Sequence, residues 1–170
     1  MTNLSLITMK TFIINNLEFA QTQQKLIDTF DAFDCERLAE LLVIQDKNSE
    51  SATIRFELTG DYKRFRQPSL HLNIRTKLPV ICQRCLDKMQ VELDLSFDYL
   101  ISNTTINELG ENDEMDWLEA NNEMNLQELI EDELLLAMPI APVHEENCSK
   151  VSMQSGEKPN PFAILKDKFK

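Results

Sequence analysis

Met89-Gln90-Val91-Glu92-Leu93-Asp94-Leu95-Ser96-Phe97-Asp98-Tyr99 decides the fold class. Met89, Val91, Leu93, Leu95, Phe97 and Tyr99 alternate with polar residues, the two-residue period of a strand with one face on a core and one in water. Upstream, Leu70, Leu72 and Ile74 alternate with His71, Asn73 and Arg75, and a short apolar run, Val80-Ile81, follows Pro79. Further back, Ala52, Ile54, Phe56 and Leu58 alternate with Thr53, Arg55 and Glu57, and Gly60-Asp61 gives a turn signal. Successive strands joined by short polar turns imply an antiparallel sheet with one buried face.

The flanks read differently. Residues 20–44 carry Leu26, Ile27 and Phe30, then Leu38, Leu41 and Leu42, at helical spacing. They predict one or two helices, with Asp34 as a partial N-cap before the second. Residues 102–122 are acidic and rich in Asn, with Trp117 as a lone large aromatic, and read as an acidic loop or arm. Asn125 then serves as an N-cap with Glu128 three residues on, and Leu126, Leu129, Ile130, Leu134 and Ala137 line one helical face. Pro139 and Pro142 stop that helix. Residues 145–160 are polar and expected to be mobile, ahead of a short apolar hook of Phe162, Ile164 and Leu165. The expected fold is α+β: residues 1–170 form one domain. An antiparallel sheet, open or barrel-like, carries N-terminal helices and a helix near residues 125–138 on its apolar face.

A chain of 170 residues with 42% apolar content can build an ordinary core without disulfides. No stretch approaches the roughly 20 apolar residues that span a bilayer. The N-terminus lacks a basic start before an apolar run, so a cytoplasmic location without membrane contact is expected. In that compartment the four cysteines read as metal ligands, core residues or free thiols. A net charge of −12 argues against binding nucleic acid over the whole surface. The charge is nevertheless polarised. Arg55 to Lys88 holds eight Lys or Arg against three acids, whereas Glu108 to Glu133 holds eleven acids and no Lys or Arg. Two solvated faces of opposite sign would explain this. So would a basic sheet face for RNA beside an acidic arm for a basic protein.

Three segments carry a family resemblance: Cys82-Gln83-Arg84-Cys85 leading into the alternating strand, Glu131 to His144 (EDELLLAMPIAPVH) followed by Cys148, and Lys158 to Leu165 (KPNPFAIL). In order and spacing they resemble the bacterial YceD family, also called DUF177, from about residue 15 to the end. The resemblance implies a role in accumulation of 23S ribosomal RNA, hence in large-subunit biogenesis. It brings no catalytic residues with it.

Cys82 and Cys85 lie between an apolar run and a strand, so they sit in a turn. A redox CxxC needs a helix N-terminus behind it to stabilise the thiolate, and strand pattern follows here instead. A tight turn can direct two thiolates to one point, which is half of a tetrahedral zinc site. His144 and Cys148, just beyond the Pro-stopped helix, are the candidates for the other half. Some relatives resemble this chain with Cys in place of that His, a swap between two zinc ligands. Cys82, Cys85, His144 and Cys148 thus form a candidate Cys3His site for structural zinc. The bland alternative is four small residues that never meet. Cys35 reads as a core or free thiol, and His71 as a surface residue.

Arg75, Lys77, Arg84 and Lys88 surround the CxxC turn and are the candidate RNA-binding residues, with Arg84 at its tip. Aromatic platforms nearby are limited to Tyr62, Phe65 and Tyr99. Trp117, Glu131, Asp132 and Glu133 are the protein-interaction candidates. No enzyme is expected. The chain has only three Gly and no nucleotide-binding loop, and consecutive helical carboxylates point in different directions. The function expected is a non-catalytic ribosome-biogenesis factor for large-subunit rRNA or its precursor. It either contacts that RNA through the basic turn around Cys82–Cys85 or holds a basic ribosomal protein on the acidic helix and loop. The alternative is an acidic adaptor acting through a basic ribosomal protein or a nuclease.

Overall fold

The computed structural model describes residues 12–43, 52–62, 67–102, 116–145 and 148. Phe65, the Lys158–Leu165 motif with its hook, residues 103–115 of the acidic arm and most of 145–160 lie outside the described residues. Strand β1 (Ile13–Ile14) precedes helix α1 (Asn16–Gln21), strand β2 (Lys25–Asp31), a 3-10 turn (Ala32–Asp34) and helix α2 (Glu36–Ala39). Strands β3 (Thr53–Asp61), β4 (Ser69–Ile81), β5 (Lys88–Ser102), β6 (Asp116–Glu119) and β7 (Met124–Asn125) follow, and helix α3 (Leu126–Ala137) comes last.

The fold is α+β. One sheet has the order β2-β3-β4-β5-β6, and β1 pairs with β7 apart from it. The first four strands are antiparallel to their neighbours. Among the described residues the sheet stays open, with no closed barrel. Alternation works as the sequence predicts. Ile54, Phe56 and Leu58 of β3 and Leu70, Leu72, Ile74 and Leu78 of β4 are buried on one face. Leu126, Ile130 and Leu134 of α3 complete that core. At its centre the Phe56 ring meets Phe12 edge-on, with centroids 5.2 Å apart. No helix among the described residues is long and apolar enough to cross a membrane.

Four expectations are corrected. Residues 25–31 form strand β2 rather than a helix. Leu26 and Phe30 are four apart, a spacing shared by a helix turn and by two strand periods. Ile27, placed on the helical face by the sequence, is instead exposed on the opposite face of the strand. Asp34 does not cap α2: Cys35 holds the N-cap position and supplies no side-chain hydrogen bond. The acidic arm is not all loop, because Asp116–Glu119 add a parallel edge strand, with Trp117 opposite Leu100.

Val80-Ile81 is not a separate run but the end of the thirteen-residue β4. Pro79 is tolerated there because the β3 register ends at Arg55 opposite Arg75, leaving β5 alongside. The Pro79 carbonyl accepts the Val43 N–H at 2.9 Å. Helix α3 begins where predicted. Asn125 Oδ1 accepts the Gln127 N–H at 3.1 Å, and its amide donates to Glu128 at 2.9 Å.

Candidate metal centre

Strands β4 and β5 pair up to Ile81 opposite Lys88, and the six residues between form a tight turn. The Cys82 N–H donates to the Asp87 carbonyl at 3.0 Å, and the Leu86 N–H to the Cys82 carbonyl at 3.0 Å. Closing the turn this way forces Leu86 to a φ of 61°. For a residue with a Cβ that conformation costs on the order of 1–2 kcal/mol.

The second half arrives from α3. Met138 leaves the helix in extended conformation, and Pro139 prevents its continuation. The following loop is pinned to the turn by the Gln83 N–H, which donates to the Pro142 carbonyl at 2.8 Å. That bond sets His144 beside Cys85, with Nδ1 and Sγ 3.5 Å apart, and Cys148 reaches Cys82 with sulfurs 3.6 Å apart. All four donor atoms of Cys82, Cys85, His144 and Cys148 lie within 4.8 Å of one another. A metal–sulfur bond of about 2.3 Å gives a tetrahedron with edges of roughly 3.8 Å. The observed spacings suit that polyhedron.

Electrostatics favour a cation here. Burial pushes the Cys82 thiol up, but N–H groups of Cys85, Arg84 and His144 aimed at its sulfur outweigh burial and bring it down to about 5. The Arg84 N–H lies 3.4 Å from that sulfur. Cys85 accepts the Asp87 N–H, which favours its thiolate, yet burial and the sulfurs of Cys82 and Cys148 push it up to about 11. A cation held between these sulfurs would favour the thiolate at each of them, which is what a metal centre on this cluster requires. Cys35 stands apart: it is buried at the α2 N-terminus, and burial, then Glu131, push it up to about 11.

The remaining candidate residues are distributed as follows. Arg75 bonds Asp94 at 3.1 Å and Lys77 bonds Glu92, both across the β4–β5 ladder. His71 lies on the same outer face, 2.8 Å from Asp98. The basic sheet face is therefore interleaved with acids, and Arg84 and Lys88 are the exposed basic residues of the turn itself. Glu131 is buried and bonded to Arg37, Asp132 also pairs with Arg37 at 2.7 Å, and Glu133 accepts the Tyr99 hydroxyl at 2.7 Å. All three carboxylates are thus engaged within the chain, while Trp117 is half-buried on β6. Sequence reasoning missed the backbone donors to Cys82 and the Gln83–Pro142 bond. The Pro-rich stretch before His144 was their only trace.

A sequence profile described as large ribosomal RNA subunit accumulation protein YceD matches residues 70–167, more than half of the chain. The chain belongs to the YceD family. The YceD match spans all four residues of the metal cluster. A curated relative, the large ribosomal RNA subunit accumulation protein YceD of Haemophilus influenzae, is 26% identical over 164 residues, 89% of this chain and 91% of the relative. No solved structure matches.

Proposed function

We propose that this chain is a non-catalytic factor supporting accumulation of 23S ribosomal RNA, and that it meets precursor RNA through the turn from Cys82 to Lys88. A structural zinc ion on Cys82, Cys85, His144 and Cys148 braces that turn. Three thiols and an imidazole are zinc donors. Four protein ligands leave no open position, which suits a structural ion rather than a catalytic one. The family match supports the ribosomal RNA role. One observation carries the site: the four donors gather at the same sheet end from which Arg84 and Lys88 project.

The acidic adaptor reading would use the block 108–133, in which Glu131, Asp132 and Glu133 already hold Arg37 and Tyr99, while residues 108–115 lie outside the described residues.

The test is ultraviolet crosslinking in growing cells, denaturing purification and sequencing of attached RNA. Reads concentrated in 23S precursor, and reduced by Arg84→Glu with Lys88→Glu, are expected. No RNA above background would overturn direct contact and shift the case to a basic ribosomal protein or a nuclease as partner.

A further inference from the structure

Leu86 carries two costs at once. Its φ of 61° is left-handed, where the Cβ crowds the backbone, and its side chain is 72% exposed. Glycine at this position would avoid both. The hydrogen bonds that close the turn are made by backbone atoms of Cys82, Leu86 and Asp87, so the turn itself does not need a leucine side chain. Strain kept at an exposed turn points to use in a contact.

Charge indicates what the contact is. Arg84 stands two residues before Leu86 and Lys88 two residues after, both exposed, and Asp87 is the one acid in the turn. Arg84 and Lys88 thus outnumber Asp87 on the exposed rim of the turn, in a chain of charge −12. Its complement is a ligand that is negative, then apolar, then negative. Unpaired RNA has that pattern, with phosphates on either side of a base whose face is available. Ile140 and Val143 add exposed aliphatic surface on the loop pinned to Gln83.

We infer that Leu86 is the apolar contact of the metal-braced turn for an unpaired nucleotide of large-subunit RNA, with Arg84 and Lys88 on the flanking phosphates. This rests on the RNA reading above. Aliphatic side chains wedge against bases in other nucleic-acid complexes, and burying one leucine is enough to change affinity about tenfold.

The test compares full-length wild type, Leu86→Gly and Leu86→Met, each assayed for thermal unfolding, zinc content and crosslinked 23S RNA. Leu86→Gly relieves left-handed strain, so its melting temperature rises by ~2–4 °C with zinc retained, while RNA yield falls ~10-fold. Leu86→Met keeps an apolar side chain and holds the wild-type yield. Wild-type yield in Leu86→Gly would overturn the inference and leave the RNA reading standing. Loss of stability or zinc in Leu86→Gly would also overturn it, by making the leucine a structural part of the turn. Absence of RNA from the wild type would remove the RNA reading itself, and this inference with it.

Discussion

Glu131 on α3 accepts the backbone N–H of Leu38 on α2 at 2.9 Å, and the same oxygen takes the Arg37 N–H at 2.7 Å. Helix α2 has four residues and no cap of its own from Cys35. A carboxylate 94 residues downstream therefore does the work of an N-cap. The other oxygen receives the Arg37 guanidinium at 2.9 Å. Burial opposes the charge, but the Leu38 and Arg37 donors outweigh burial and hold this carboxyl below its ordinary value of 4.5.

The first prediction concerns that contact. Glu131→Gln leaves one acceptor but turns an amide toward Arg37, and should cost ~1.5–3 kcal/mol at neutral pH. Because the folded-state value is depressed, the stabilisation is present above the unfolded value and lost as pH falls through the folded one. Urea unfolding at pH 7 and in acid should show the gap between wild type and variant narrowing in acid. A gap independent of pH would mean the carboxylate charge contributes nothing.

Metal removal should act locally. Structural zinc in small domains supplies folding free energy on the order of 10 kcal/mol, but there the metal replaces a core. Here β3 to β5 and α3 already bury Phe56, Leu72 and Ile130. A chelator should therefore abolish amide protection in residues 82–88 and in the loop around Gln83–Pro142, leaving the central ladder protected. Metal analysis should find one zinc per chain, lost in Cys85→Ser. Identical protection with and without chelator would count against a metal at this cluster.

The sheet was legible because period-two alternation has no competitor over eleven residues: Met89 to Tyr99 cannot be a helix with one apolar face. Strand β2 was not, because Leu26 and Phe30 satisfy both periods and Ile27 weighted the wrong one. The ligand residues were readable as donor types at a turn and after a helix stop. Their meeting could be proposed from those two places but not decided against four residues that stay apart, since it depends on the register of β4 with β5 and on the Gln83–Pro142 bond. The cap from Glu131 was hidden for the same reason. A side chain that serves a distant helix leaves no local spacing to read.

Gly60 gives a third prediction. Helix α1 crosses β3 at this residue, and a Cβ there would meet the Phe19 carbonyl and lie 2.8 Å from the Ala20 Cα. Both are backbone atoms, so a rotamer change cannot make room. The Gly60 N–H also donates to the Gln24 carbonyl at 2.8 Å, tying the same two segments together. Gly60→Ala should cost ~1–3 kcal/mol, read by denaturant midpoint at unchanged slope. A neutral result would require α1 to shift off the sheet, which the exchange rates of Phe19 and Ala20 would reveal.

Tyr99 gives the last. Its ring is buried and stacks on Phe97 with centroids 6.1 Å apart, and its hydroxyl donates to Glu133 at 2.7 Å. Burial, then the hydrogen bond and charge of Glu133, push the phenol well above its ordinary value of 10. The folded chain therefore keeps the proton that the unfolded chain releases near pH 10. The stability Tyr99 contributes is complete below that pH and declines as pH rises beyond it. Tyr99→Phe should cost ~1–2 kcal/mol at neutral pH, because a charged acceptor loses its donor. It should also flatten the loss of stability in alkali, since phenylalanine has no proton to release. Parallel alkaline unfolding curves for the two proteins would show that the hydroxyl is not held protonated by the fold.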